Sequence, residues 1–429
     1  MHANLKKGEI RMRIIPKQGI CDPHVHVYNG KAYMYATHDR CPGNSDFRMD
    51  DWHLYSSDDL LNWKLEYVLR PEDTYIGKFN KCYATDAAER DGKYYFYFSK
   101  DQESTGVAVS ETGPCGPYRD ALGKPLLPQG LVDTACYDPT VFIDDDENQT
   151  PYIIFGYTVL GKQYYIARMN EDMISLAEDP RPIEIINGWA NDANWVMKRN
   201  GVYYLNTHGG HYATAENIYG PYTYRGQFCQ DATVDHGTFF IYHNQTYFTY
   251  GVPESWGEPH HDPYYRTTKM LYAHFKENGD VVIDPFIQEV GVGQYDATWD
   301  QIKGEWYFAA SEGVNKQENA DGFEMRGMKD GSYLYYPNVN GLRQNAKMFV
   351  RGTCEYNSCQ IEVREGSPFG PVLGCCRVQP DPENRNGVDR EIPIPMTNMH
   401  GTHHLCFVFR GEGEDIFAFD GFRFETVKF

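Results

Sequence analysis

The 429-residue sequence has no apolar run approaching the roughly 20 residues that cross a bilayer. Its start, MHANLKKGEIRMRIIPKQGI, carries basic residues but no continuous apolar stretch and no small-residue cleavage site. Neither a membrane span nor a signal peptide is expected, and a cytoplasmic location follows as the expectation. Basic clusters are scarce too, and the formal net charge is −20. Nucleic acid and anionic membrane surfaces both select clustered Lys and Arg, so neither is an expected partner. Paired CxxC motifs are missing, which removes support for a zinc ribbon or a redox motif. The eleven cysteines are odd in number and include the adjacent pair Cys375-Cys376, which cannot easily form a normal local bridge. Free thiols and a reducing compartment are expected.

Aromatic residues are plentiful at 15%, with 34 Tyr and 23 Phe, a supply that suits strand packing and sugar stacking alike. Many of them lie in runs broken by tight turns: VHVYNGKAYMYAT, AAERDGKYYFYFS, TVFIDDDENQTPYIIFG, NWVMKRNGVYYLNTH and TFFIYHNQTYFTYG. Asn-Gly and Asp-Gly between alternating apolar runs signal hairpins, because both central residues of a type I′ turn need positive φ. The five runs are headed by Asp22, Asp86, Asp138, Asp192 and His236, at spacings of 64, 52, 54 and 44 residues. Such spacings fit the blades of a propeller, and residues 20–285 contain no long amphipathic helix. The predicted fold is all-β: a five-bladed β-propeller over residues 1–290, then a jelly-roll-like β-sandwich over 291–429, where short strands alternate with Gly and Pro turns.

In a propeller the innermost strands begin at one end of the axis, so their polar heads converge. Asp22, Asp138 and Asp192 then offer acid–base chemistry, in which one carboxylic acid protonates a leaving oxygen and one carboxylate activates water. The plainer reading of Asp-Pro at a strand start is a turn cap. Asp22-Pro-His-Val-His26 also resembles the metal-binding strand of amidohydrolases, but the Asn29-Gly30 hairpin behind it and its four sister hairpins argue against that barrel. His24, Asp86, Trp195 and His208 are substrate-side candidates around the same mouth. His211, Trp256, His260 and His261 are further pocket-wall candidates, and His236 is placed to ligate an ion on the axis.

These motifs resemble glycoside hydrolase family 43. Asp22-Pro-His-Val with YNGKAYMYAT is similar to the family's first blade, YATDAAERDGKYYFYFS to its second, YDPTVFIDDD to its third, and HGTFFIYHNQTYFTYG with YYRTTKMLYAHFKENGDV to its last. The resemblance implies that Asp22 is the catalytic base and Asp138 the acid that tunes pKa, with His236 axial and Arg266 on the substrate side. The fourth blade departs from the pattern: NDANWVMKRNGVYYL places Asp192 where the family carries a Glu as general acid. Residues 294–429 are similar to carbohydrate-binding module family 6, with Ala418 at a usual ligand-binding Asn and Thr298 where an acid would support a structural calcium. A structural or pocket-shaping role is therefore expected of that domain.

The resulting expectation is an inverting exo-glycosidase, an α-L-arabinofuranosidase or β-xylosidase acting on small plant-derived oligosaccharides. It would need no cofactor for chemistry, with structural calcium possible. The alternatives are a hydrolase of another furanoside, such as a galactofuranoside, and a non-catalytic sugar-binding propeller.

Overall fold

The computed structural model describes residues 13–157, 163–188, 191–229, 235–255, 262–354, 357–381 and 390–425. Trp256, His260 and His261 lie outside them. Among the described residues, no helix is long and apolar enough to cross a membrane. The chain forms two compact units, one from Arg13–Phe240 and Phe248–Met270, the other including Ile241–Tyr247 and Leu271 onward.

In the first unit, β1 (Arg13–Ile14) precedes four consecutive meanders. The first is β2 (Ile20–Tyr28), β3 (Lys31–Asp39), β4 (Met49–Ser57) and β5 (Lys64–Leu69). The second is β6 (Cys82–Arg90), β7 (Lys93–Lys100), β8 (Ser104–Ser110) and β9 (Arg119–Asp120). The third is β10 (Thr140–Ile143), β11 (Pro151–Phe155), β12 (Tyr165–Arg168) and β13 (Arg181–Pro182). The fourth sheet adds β14 (Ile185–Ile186) to β15 (Trp195–Arg199), β16 (Val202–Thr207), β17 (His211–Ala215) and β18 (Tyr222–Gln227). The fifth contains β19 (Gly237–Tyr242), β20 (Gln245–Pro253) and β21 (Arg266–Tyr272), and β1 completes it by pairing Arg13 with Lys269 and Ile14 with Thr268. The blade is thus closed by strands from opposite ends of the propeller.

Turn chemistry sets the hairpins. Asn29-Gly30, Asp91-Gly92 and Asn200-Gly201 all have positive φ at both positions, and His243-Asn244 does the same work in the fifth blade at 44° and 63°. Aromatic and aliphatic side chains fill the space between blades: Tyr35, Trp52 and Leu54 meet Phe96 and Phe98 from the next sheet, and Ile154 and Ile166 meet Val196 and Leu205. Each such side chain contributes about 1.5–3 kcal/mol on burial. That is where much of the Tyr and Phe excess goes.

The strand heads are also stitched to one another. The Val141 amide donates to Asp86 (2.6 Å), the Thr140 hydroxyl to the Asn194 carbonyl (2.7 Å), the Asn206 amide to the Gly237 carbonyl (2.8 Å), and the Thr238 hydroxyl to the Pro23 carbonyl (2.9 Å). His26 completes the circuit with Nε2 2.7 Å from Asp86. Polar heads are therefore held in a ring by bonds that run from each blade to its neighbour.

The second unit contains, among its described residues, a two-stranded sheet of His274–Phe275 with Val281–Val282 and two larger sheets. One runs Tyr295–Asp296, Tyr333–Leu342, Gly401–Arg410, Cys359–Glu365, Val372–Val378, and the other Asn315–Asn319, Gly322–Arg326, Ala418–Glu425, Lys347–Thr353, Glu391–Ile394. Their inner faces meet through Tyr336, Phe407, Phe419 and Phe422, with ring centroids 4.7–5.7 Å apart for Phe407 against Tyr336, Phe419 and Phe422.

Candidate active site

Pro23 has no N–H to give to the β2–β3 ladder, and the register slips between Cys21 and His24. Asp22 sits in that slip with φ of 48°, a left-handed conformation that Asp tolerates better than most residues. Its carboxylate is 2% exposed, accepts the Thr37 hydroxyl at 2.7 Å, and is gripped on both oxygens by Arg266 at 2.8 and 3.0 Å. Asp138, before Pro139, repeats the device with φ of 53°. The Ser99 hydroxyl takes its amide proton at 3.1 Å, the Ala193 amide donates to its carboxylate at 3.3 Å, and His236 Nε2 lies 3.3 Å away. In the fourth blade the left-handed residue is Ala193 (φ 59°), so Asp192 stands one residue ahead of the kink.

The three acids line one cavity of about 120 Å³ together with Phe47, Tyr137, Asp235, His236 and Arg266. Asp192 is 37% exposed, yet burial by surrounding chain, then repulsion from Asp138 and Asp235, push its carboxyl up to about 6 against the opposing pull of His236 and His208. Burial alone would push Asp235 up, but Arg266 (2.7 Å) and His208 draw it well below the usual carboxylate range. His208 Nδ1 stands 3.8 Å from Asp192 and 3.7 Å from Asp235, too far for hydrogen bonds but close enough for these anions to outweigh burial and raise its pKa. Burial opposes a charge on His236 as well, but Asp138 and Asp22 raise it to about 10. The cavity therefore holds one carboxyl whose pKa is raised to about 6, beside the ion pair of Arg266 with Asp235.

A model of the glycosyl hydrolases family 43 matches residues 13–211, and one of carbohydrate binding module family 6 matches residues 306–426. A xylosidase/arabinosidase of Bacteroides ovatus is 34% identical over 269 residues, spanning 50% of this chain and 79% of that protein. The chain belongs to glycoside hydrolase family 43. A beta-D-galactofuranosidase of Aspergillus niger is 27% identical over 61% of this chain and 81% of its own length. Among solved structures, a family 43 arabinoxylan arabinofuranohydrolase from Bacillus subtilis in complex with cellotetraose superposes with a TM-score of 0.56 at 20% identity, covering 96% of this chain and 97% of that one. A family 43 beta-xylosidase/alpha-arabinofuranosidase from a compost metagenome, in complex with xylotriose and in a calcium-free form, gives 0.55 at 28% identity over 66% and 99%. The family's members hydrolyse glycosides with inversion, and the chain is a glycoside hydrolase of that kind.

Of the residues expected from sequence at the family 43 site, Asp22, Asp138, Asp192, His236 and Arg266 line the cavity, and His208 stands beside two of its acids. Asp86 requires correction as a substrate contact. It is fully buried, accepts amides of Ala87 and Val141, and faces His26 and, off the hydrogen-bonding axis at 3.0 Å, His24. His24, also buried, joins it as a structural partner. Trp195 packs on Phe239 at 5.7 Å and His211 on the Tyr224 hydroxyl at 2.6 Å, neither lining the cavity. His236, expected on an axial ion, has its Nε2 turned to Asp138 at 3.3 Å. Calcium takes six to eight oxygens, whereas Asp22, Asp39 and Asp235 all bond Arg266. Among the described residues, these three acids are committed to the guanidinium. In the second unit Thr298 donates to the single carboxylate Asp296 at 2.7 Å, with no second acid in its place.

Sequence reasoning missed Asp39, Asp235 and Phe47. Asp39 is buried and bonds Arg266 through its amide (2.8 Å), Nε (3.0 Å) and Nη2 (2.9 Å), while Phe47 lies under the guanidinium at 4.9 Å. The adjacency of Asp235 to His236 was the one local signal for it.

Proposed function

We propose that this family 43 hydrolase removes terminal α-L-arabinofuranosyl or β-xylosyl units from short plant-derived oligosaccharides, in the cytoplasm, where the eleven unbridged cysteines would stay reduced. The observation that carries the proposal is the contrast between Asp192, whose carboxyl is held up at about 6, and Asp22, clamped on both oxygens by Arg266. Asp192 gives its proton to the glycosidic oxygen as the bond to the anomeric carbon breaks. Asp22 takes a proton from the water attacking the opposite face, leaving the sugar with inverted configuration. Asp138, braced by His236 and the Ala193 amide, stands beside Asp192, and its repulsion is among the causes that raise the Asp192 pKa. Arg266 fixes the base, since a small misplacement of a reacting group costs a large factor in rate.

A panel of nitrophenyl glycosides tests this. Release is expected from α-L-arabinofuranoside or β-xyloside, with Asp22→Asn lowering kcat by about 10³-fold or more while the circular dichroism spectrum is unchanged. Unchanged turnover in that variant would remove Asp22 as base. A second reading is favoured by the Aspergillus niger relative together with the shorter acid at Asp192: release from a galactofuranoside alone would establish that substrate. Silence on every glycoside, with sugar binding retained, would make the propeller a binder.

A further inference from the structure

We infer that His38, Asp51 and His53 form a binding site for a divalent transition metal of the zinc type, on the first blade and outside the acidic cavity. Asp51 and His53 are two residues apart on β4, so their side chains leave the same face of the strand. His38 stands on β3 where the β3–β4 register slips between Thr37 and Asp39. The slip brings it to the same point. His38 Nδ1 lies 2.7 Å and His53 Nε2 3.2 Å from the same Asp51 oxygen, and all three donor atoms lie within 4.8 Å of one another. The two imidazoles face each other at 4.1 Å.

One carboxylate oxygen is the shared endpoint of two imidazoles tilted by 33° to each other. Two charged rings this close repel each other, and a cation held between the ring nitrogens and the carboxylate replaces that repulsion with attraction to all three donors. Zinc bonds of 2.0–2.2 Å in tetrahedral geometry set neighbouring ligand atoms about 3.3 Å apart, so a small opening of the observed cluster admits it. Two nitrogens and one oxygen suit zinc, cobalt or copper rather than calcium or magnesium, which take oxygen. The other nitrogen of His53 lies 3.3 Å from the Tyr55 hydroxyl, the kind of outer contact that fixes a ligating imidazole. The three side chains are 33%, 19% and 11% exposed for His38, Asp51 and His53, which leaves room for water in a fourth position. His38 is followed directly by Asp39, which holds the guanidinium that grips Asp22. A metal here would pin the strand end that carries this clamp, without entering the chemistry.

The full chain, stripped with chelator, is titrated with Co²⁺ and with Zn²⁺ and compared with His53→Gln. The expected result is one ion per chain, the intense visible bands of tetrahedral cobalt without thiolate charge-transfer absorption, and a thermal midpoint raised by a few degrees in excess Zn²⁺. All three are expected to vanish in His53→Gln. Equal binding by wild type and variant would assign the metal to the cysteines and overturn the inference, as would absence of binding by wild type. Should His53→Gln fail to fold, Asp51→Asn makes the same comparison with little change of shape.

Discussion

Asp192 concentrates the chemistry into one titration. Its raised pKa, from burial first and then from Asp138 and Asp235, means that kcat/KM is expected to fall as pH rises above about 6, measurable as the alkaline limb of a pH–rate profile. The same shift acts on stability. The folded carboxyl holds its proton more tightly than the unfolded one, which titrates near 4, so this group favours folding below about pH 4 and loses that contribution as pH climbs through 6. Asp192→Asn is expected to abolish the alkaline limb and to cut turnover of oligosaccharides by about 10²–10⁴-fold, with a smaller loss on nitrophenyl glycosides, whose leaving group needs less help. Equal losses on both substrate types would deny it the role of acid. Asp22 and Asp138 could be read from sequence because Asp-Pro and the hairpin behind it are local signals, and Asp192 from its hairpin alone. Asp39 and Asp235 could not, since each acquires its role only through Arg266, which lies 227 and 31 residues away.

At the level of strands and turns, Asp86 shows how a strand head can look functional and be structural. Burial alone would raise its carboxyl, but His24 and His26 bring it well below the usual range. A depressed folded pKa contributes stability above about pH 4, the unfolded value, and loses it as pH falls further. Asp86→Ala leaves two amides and His26 without an acceptor and His24 without its carboxylate neighbour, and is expected to cost about 3 kcal/mol or more in denaturant unfolding while shifting KM little. A large KM change with stability retained would restore it to the substrate. Hairpins were legible because Asn-Gly and Asp-Gly turns advertise positive φ. Gly92, at φ 75° with open space where a Cβ would go, isolates that term: Gly92→Val is expected to cost about 1–2 kcal/mol by the same measurement, and a neutral result would mean the turn is not strained. A second repeat escaped the sequence reading. Gly116-Pro117-Tyr118 and Gly220-Pro221-Tyr222 occupy matching corners, and each Tyr hydroxyl bonds the carbonyl four residues back, at 2.7 and 2.9 Å. Two copies of three small or common residues give too little pattern to find without the bonds.

For the molecule as a whole, composition and turn spacing reached the all-β class and five blades, because propeller blades repeat in sequence. The unit structure was less accessible: Ile241–Tyr247, in the middle of a blade hairpin, groups with the sandwich, and no local pattern encodes such long-range packing. In the sandwich, Ala418 is buried and offers no amide where related modules bind sugar. Affinity electrophoresis through xylan is expected to show no retardation once the propeller cavity is saturated with xylose, and persistent retardation would reveal a live binding face. The pairing of β1 with β21 bears on how the protein is made. Arg13 and Ile14 leave the ribosome early but cannot find their ladder until Thr268 and Lys269 have emerged. For the whole of that interval the first four blades exist as an open arc with unpaired flanks, so ring closure is expected to be the slow, chaperone-dependent step of biosynthesis.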